Sequence, residues 1–200
     1  MISQRQSETR ARQPGLGHIP TASHGLDALA TAVRAAIGNG ANWRETAQLV
    51  ASALERHLPA PSILTDEQRT GDAETYKSEV LYSEPDGSFS IVALVWRPGQ
   101  VTPIHDHVTW CVFGVIQGME REELFELDEQ GTGLVHAGYR VNSMGDVSGF
   151  APPGDIHRVR NAGDHTAISI HIYGTDVARV GSSVRRRYDL PVQHAPRSAA

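Results

Sequence analysis

From residue 76 to residue 173 the sequence is a succession of short strands separated by turns. Apolar residues alternate with other residues in this stretch, and the turns are rich in glycine, proline and aspartate, as at Glu84–Gly87. Short strands with such turns and no helices between them are typical of a β-sandwich or β-barrel. The predicted strands are a hairpin at 76–96 and single strands at about 110–116, 119–127, 134–140, 147–151, 156–161 and 166–173.

Two helices are predicted ahead of the strands. Apolar residues recur at helical spacing over Leu26–Ile37, and a glycine-rich turn follows them. Asn42 and Glu45 have the spacing of a capping box at the start of a second helix, which ends before Pro59. We expect both helices to pack on the outside of a sheet.

The domain limits follow from these patterns. Residues 1–22 and 191–200 are predicted to be tails. A single domain is predicted at 23–190, with a helical part at 23–75 and a β-barrel at 76–190.

Composition limits the function classes. The chain has 200 residues, of which 40% are hydrophobic, and a formal net charge of −5, which suits one domain with a core. It has no basic stripe and no long apolar run, so we expect neither nucleic acid nor a membrane as a partner. Cys111 is the only cysteine, so no internal disulfide can form and a reducing, cytoplasmic location is expected. We expect a monomer or a weak homo-oligomer.

Three histidines are candidate metal ligands. His105 and His107 are one residue apart, so on a strand both point to the same face. His157 follows later in the chain, after a proline- and glycine-containing turn. Imidazole suits iron, zinc, copper and nickel. We expect these three side chains to hold one metal ion.

The spacing of these residues resembles the two sequence motifs of cupin barrels. The first motif places a glutamate and a glycine after His-x-His, and its five positions are occupied here by Gly99, His105, His107, Cys111 and Gly118. The second motif, Pro-x-Gly-x-x-His-x-x-x-Asn, is matched over 152–161. The resemblance implies a mainly β fold, a cupin barrel (a double-stranded β-helix or jelly roll) with two or three N-terminal α-helices packed outside it.

The glutamate position of the first motif is occupied by Cys111. Three neutral imidazoles then remain without a carboxylate, whereas the common non-haem iron triad has two histidines and one carboxylate. The more positive Fe(II) centre would attract an anionic ligand such as a thiolate. From the residues alone, Cys111 has two interpretations, as a small buried residue beside the pocket or as a metal ligand.

The sequence from about 76 to 173 resembles the thiol dioxygenases, the family that includes cysteine dioxygenase and 3-mercaptopropionate dioxygenase. The resemblance implies an Fe(II) enzyme that uses O2 to convert a small thiol to its sulfinate. It also implies a catalytic relay of Ser169, His171 and Tyr173. It adds a third interpretation of Cys111, as the partner of a thioether cross-link to Tyr173. The alternation alone places these three residues on one face of a strand, an arrangement that an ordinary half-buried strand would share.

The residues that bind the substrate are less defined. In the family, an arginine or glutamine two positions after a strand tyrosine binds the substrate carboxylate. The tyrosine here is Tyr76, and that position holds Ser78. Another charged donor is therefore expected, first Arg97 and then Lys77, although both could be surface charges. With Cys111, these residues form the predicted substrate site.

Two donors would suit a dicarboxylate such as mercaptosuccinate. We therefore expect 3-mercaptopropionate or mercaptosuccinate to be preferred over cysteine. Two other functions remain compatible with the sequence, because a fold does not determine a function. One is a zinc or nickel cupin that acts as an isomerase or hydrolase, and the other is a non-catalytic cupin that senses a ligand.

Overall fold

Eleven β-strands and four α-helices lie within residues 21–194, the part of the chain that the computed structural model describes, with side chains described from 25 to 193. The helices are α1 (Thr21–Ile37), α2 (Trp43–Arg56), α3 (Asp66–Thr70) and α4 (Val177–Val180), and a short 3-10 helix spans Pro61–Ile63. The strands are β1 (Lys77–Ser83), β2 (Ser90–Trp96), β3 (Ile104–His107), β4 (Cys111–Gln117), β5 (Met119–Leu127), β6 (Leu134–Ser143), β7 (Val147–Phe150), β8 (His157–Asn161), β9 (Ala167–Tyr173), β10 (Val184–Tyr188) and β11 (Val192–His194).

The strands form two sheets that pack face to face. One sheet has the order β1-β2-β9-β4-β7, and the other has the order β10-β3-β8-β5-β6-β11. Val159 of the second sheet packs with Val92 and Leu94 of the first in one buried cluster. This arrangement confirms the predicted mainly β, cupin-type barrel with helices outside it.

The three central strands of the five-stranded sheet, β2, β9 and β4, are buried on both faces, and each face has a different role. In β9, Ile168, Ile170 and Ile172 belong to the cluster that packs against α1 and α2. Because side chains alternate along a strand, the intervening residues Ser169 and His171 point into the barrel. The polar side chains of β9 therefore face the opposite sheet rather than solvent.

The two long helices cover the outer face of this sheet. The predicted capping box is present at α2, where Asn42 Oδ1 accepts from the Glu45 amide at 3.1 Å and Glu45 Oε2 accepts from the Asn42 amide at 3.2 Å. Gly114 of β4 permits close packing here, since a Cβ at that position would lie 2.7 Å from Leu58. The helices thus support the strands from outside the barrel.

The last two strands were not predicted. β10 pairs antiparallel with β3, and β11 pairs parallel with β6. Both lack a regular apolar alternation, so only backbone pairing identifies them. The predicted C-terminal tail at 191–200 is therefore wrong for Val192–His194, and its remaining residues lie outside the described range.

At the other end of the chain, α1 begins at Thr21, so the predicted tail at 1–22 is wrong for its last two residues, while residues 1–20 lie outside the described range. Among the described residues, no helix combines the length and apolar character that crossing a membrane requires.

Candidate active site

The barrel interior brings the three predicted metal-binding histidines together. His105 and His107 project from the same face of β3, and His157 of β8 lies directly opposite His105 in the antiparallel pairing. One ring nitrogen of each histidine lies within 4.8 Å of the others, and all three side chains are buried. Three imidazoles converging on one point form the donor set of a transition-metal site.

Each of these histidines has its Nδ1 atom occupied by an acceptor. In the order His105, His107 and His157, the acceptors are the Pro103 carbonyl at 3.0 Å, Asp155 Oδ2 at 3.1 Å and Glu122 Oε1 at 2.7 Å. An acceptor at Nδ1 places the ring proton there, so the Nε2 lone pair is free for a metal ion. Asp155 and Glu122 thus orient the ligands, and the sequence pattern identified neither.

Burial keeps two of these imidazoles neutral. It lowers the pKa of His105 and His157 to about 3, and neighbouring histidines add to the effect. A metal ion needs the neutral ring as its ligand. The donor chemistry of these residues therefore fits a divalent transition metal at neutral pH, with carboxylates only in the outer positions.

Cys111 lies beside this group but is not part of it. It is 1% exposed on β4 and pairs directly with Tyr173 of β9. Burial raises the pKa of its thiol well above the ordinary value, so the thiol is neutral and a poor metal ligand. Its position agrees with the interpretation as a buried residue next to the pocket.

Ser169, His171 and Tyr173 form a continuous line of hydrogen bonds. Ser169 Oγ is 2.9 Å from His171 Nε2, and His171 Nδ1 is 3.2 Å from the Tyr173 hydroxyl. Burial lowers the pKa of His171 to about 3, so the ring is neutral. The Tyr173 ring stacks against His107 at a centroid distance of 6.2 Å, which places the end of this line beside the histidine group.

A cavity of about 270 Å³ lies between the two groups. Its lining includes the three histidines, His171, Tyr173, Tyr76, Ser78, Leu94, Trp96, Val159 and residues 181–184. Tyr76 stacks on Trp96 at a centroid distance of 4.5 Å. The cavity is small compared with typical drug-sized pockets, so it suits a small molecule.

Arg187 also lines this cavity, and the sequence reasoning missed it. It lies opposite His105 in the β10–β3 pairing, so both side chains share the inner face. The neighbouring Arg186 lies opposite Asp106 on the outer face, and its Nε is 2.9 Å from that carboxylate. Three arginines are adjacent in the sequence, but the alternation along β10 places Arg186 and Arg187 on opposite faces of the strand.

The two predicted carboxylate donors do not line the cavity. The Arg97 guanidinium donates to the Thr70 carbonyl at 3.2 Å. Lys77 alternates outward between Tyr76 and Ser78, and its Nζ pairs with Glu79 at 2.7 Å. The prediction that Arg97 or Lys77 reaches the substrate is therefore wrong in its placement, because the turn and the strand direct both side chains away.

Several known proteins are similar to this chain. Cysteine dioxygenase type 1 from Danio rerio is 31% identical over 98 residues, which cover 46% of this chain and 48% of that protein. The Homo sapiens protein of the same name is 31% identical over 97 residues, with the same coverage. The chain thus spans about half the length of the curated relatives it matches.

A solved structure and a family profile were also found. The structure, a Klebsiella pneumoniae protein described as having a double-stranded β-helix domain, aligns with a TM-score of 0.44 and 19% identity over 56% of this chain and 86% of its own. The profile described as "Cysteine dioxygenase type I" matches residues 69–183, more than half of the chain, and this range includes the histidine group and the line of hydrogen bonds. The chain therefore belongs to the cysteine dioxygenase type I family.

Proposed function

We propose that this protein is an Fe(II)-dependent thiol dioxygenase that uses O2 to convert a small thiol carboxylate to its sulfinate. The observation that carries the proposal is a single cavity with three converging histidines on one sheet and a buried Ser-His-Tyr line on the other. Bound Fe(II) would supply the site for thiolate and O2 and the transfer of both oxygen atoms to sulfur.

The donor set supports an anionic sulfur ligand. His105, His107 and His157 contribute no negative charge, so a divalent ion held by them keeps its full positive charge. Such a centre favours a thiolate and lowers the pKa of a thiol that approaches it. The neutral Cys111 thiol does not compete for this position.

The remaining side chains position the reactants. His171 holds the Tyr173 hydroxyl, which presents a hydrogen-bonding group to the cavity next to the histidines. Leu94, Trp96 and Val159 supply apolar walls, which limit the water around the reacting groups. The protein's contribution is thus to orient the thiolate and O2 within contact distance.

Arg187 is the proposed anchor of the substrate carboxylate. Ser78, at the position where the family carries its donor, is neutral. Among the described residues that line the cavity, Arg187 is the only arginine or lysine, and within the described part of the chain it forms no ion pair with a carboxylate. A guanidinium binds a carboxylate through charge-assisted hydrogen bonds, so this side chain can replace the missing family donor.

The charges of the lining favour 3-mercaptopropionate. One arginine matches one carboxylate, whereas mercaptosuccinate has two carboxylates and neither Lys77 nor Arg97 lines the cavity. Among the described residues, no aspartate or glutamate lines the cavity to pair with the ammonium group of cysteine. We expect kcat/KM to be highest for 3-mercaptopropionate, then mercaptosuccinate, then cysteine. The highest value for cysteine would contradict this assignment.

Tyr173→Phe should lower kcat about fivefold and leave the iron content unchanged. The substitution removes one hydrogen-bonding hydroxyl, and a neutral hydrogen bond is worth about 1 kcal/mol. Steady-state kinetics and metal analysis of the same preparation test this, with Tyr139→Phe, an exposed tyrosine, as the control. Loss of iron together with activity would instead make Tyr173 a structural residue.

Metal affinity should depend weakly on pH between 8 and 6. His105 and His157 have a pKa of about 3 in the folded protein, so neither gains a proton until the pH falls far below 6. With the ordinary pKa of 6.5, these two residues alone would weaken binding roughly 20-fold over this interval. Titration of the metal-free protein with Co(II) at both pH values measures the ratio. A 20-fold loss would contradict the neutral state of the two rings.

A further inference from the structure

Glu120 is a buried carboxyl group whose charge is influenced by two nearby polar groups, Trp96 and Ser169, the first residue of the Ser169–His171–Tyr173 line. It is 0% exposed on β5, and among the described residues neither of its oxygens has a partner at ordinary hydrogen-bond distance. Burial raises its pKa to about 7, and the nearby Ser169 hydroxyl and Trp96 indole oppose this in part. Burying a carboxyl group without a hydrogen-bond partner costs folding free energy, and such groups often have a functional role.

Among the described residues, the groups that act on the Glu120 carboxyl include no cation. Glu122 on the same strand raises its pKa further, and Ser169 of β9 and Trp96 of β2 are the nearby polar groups that favour its charged form. In the pairing of β5, Glu120 lies opposite Asn142 of β6 and Asn161 of β8. Both of these are neutral. Glu120 can therefore gain or lose a proton without breaking an ion pair.

The protonation state of Glu120 determines which group donates and which accepts in each hydrogen bond of the Ser169–His171–Tyr173 line. The Trp96 indole is a donor only, and its Nε1 lies 3.3 Å from Ser169 Oγ. Ser169 therefore has one lone pair and one proton left for Glu120 and His171. If Ser169 donates to a charged Glu120, it must accept from His171 Nε2. His171 Nδ1 is then an acceptor, and Tyr173 donates to it.

Protonation of Glu120 reverses every bond in the line. Glu120 then donates to Ser169, Ser169 donates to His171 Nε2, and His171 Nδ1 donates to the Tyr173 oxygen. The Tyr173 proton is then directed away from His171 toward the cavity, where Ser183 is a further hydrogen-bonding neighbour. The neutral His171 ring changes only its tautomer. The donor and acceptor roles therefore reverse along the line without placing a charge on His171.

We propose that Glu120 is the positioning residue that sets the direction of the Ser169–His171–Tyr173 line and stores one proton exchanged with the cavity. A proton from a cavity group binds the Tyr173 oxygen, and the Tyr173 proton passes to His171 Nδ1. The His171 Nε2 proton passes to Ser169, and the Ser169 proton passes to Glu120. One proton leaves the cavity and one carboxylate becomes a carboxylic acid, so the step balances.

The direct test is the tautomer of His171 in the full chain freed of metal by a chelator, which needs no enzyme activity. Nitrogen-15 NMR of histidine-labelled protein distinguishes the two tautomers, and loss of the signal in His171→Gln assigns it. We expect the proton on Nε2 at pH 8.5 and on Nδ1 at pH 5.5, with a midpoint near 7. An infrared band of a protonated carboxylic acid should appear over the same interval.

Two variants complete the test. In Glu120→Gln the tautomer should no longer change between pH 5.5 and 8.5, whereas Glu126→Gln, an exposed change on the same strand, should behave like the wild type. A wild-type tautomer that is constant over this range overturns the proposal, even if Glu120→Gln fails to fold. So does a variant that switches like the wild type.

The catalytic consequence rests on the proposed thiol dioxygenation. In that reaction, kcat of the wild type should show an ionisation near pH 7 that Glu120→Gln lacks, and the same ionisation in both proteins would overturn the catalytic role. A tautomer switch without thiol oxidation would refute the proposed function and leave the direction-setting role of Glu120 intact.

Discussion

Replacing His157 with alanine is expected to abolish stable iron binding and to lower thiol oxidation by more than about 100-fold. The variant loses one of three converging ring nitrogens and leaves the buried Glu122 without its 2.7 Å partner. Substitutions of residues that only support a metal ligand cost 10–100-fold in affinity or activity, so loss of a ligand should exceed that range. Metal analysis after iron loading and O2 uptake measure the two losses.

His165→Ala is the matched control for this variant. His165 follows the same strand, but its side chain is 90% exposed and pairs only with Asp164 at 3.6 Å. We expect this control to retain the iron and the activity of the wild type. Full activity in His157→Ala would contradict the proposed metal site, whereas equal losses in both variants would point to a general effect on the fold.

Arg187→Ala is expected to lower kcat/KM for 3-mercaptopropionate by about 10–100-fold, mainly through KM. A hydrogen bond to a charged group is worth about 1.5–3 kcal/mol, and Arg187 is the proposed carboxylate donor at the cavity. Arg185→Ala removes the same charge from the same strand at a residue that does not line this cavity, so it should have little effect. Steady-state kinetics compares the two.

A thiol without a carboxylate separates anchoring from other effects of Arg187. With 2-mercaptoethanol, the wild type and Arg187→Ala should differ by less than about threefold, because no charge-assisted bond is lost. An equal loss for both thiols would show that Arg187 supports the fold or the metal site. No loss for either would show that another residue binds the carboxylate.

The spacing of side chains along strands made the barrel and the Ser169–His171–Tyr173 line predictable. His105 and His107, like Ser169 and His171, are separated by one residue, and a strand places such pairs on one face. The capping box at Asn42 likewise depends on local spacing, and the structure confirms it. These features need only the period of the secondary structure.

The residues that the sequence did not reveal depend on pairing between distant strands. Arg187 faces the cavity because β10 pairs with β3 in one register, and a shift of one residue would turn it outward. Glu120 and Glu122 look like surface residues of an acidic strand, yet each is almost fully buried against the barrel interior. Periodicity alone carries no information about which strand lies opposite.

The central claim is tested most directly by the stoichiometry of one reaction. Purified protein loaded with Fe(II) is mixed with 3-mercaptopropionate in air-saturated buffer, and O2 consumption and sulfinate are measured together. The account predicts one sulfinate formed for each O2 consumed, with both oxygen atoms labelled when 18O2 is used, and no turnover with Zn(II) in place of iron. Disulfide as the product, or no O2 consumption with any of the three thiols, would contradict it.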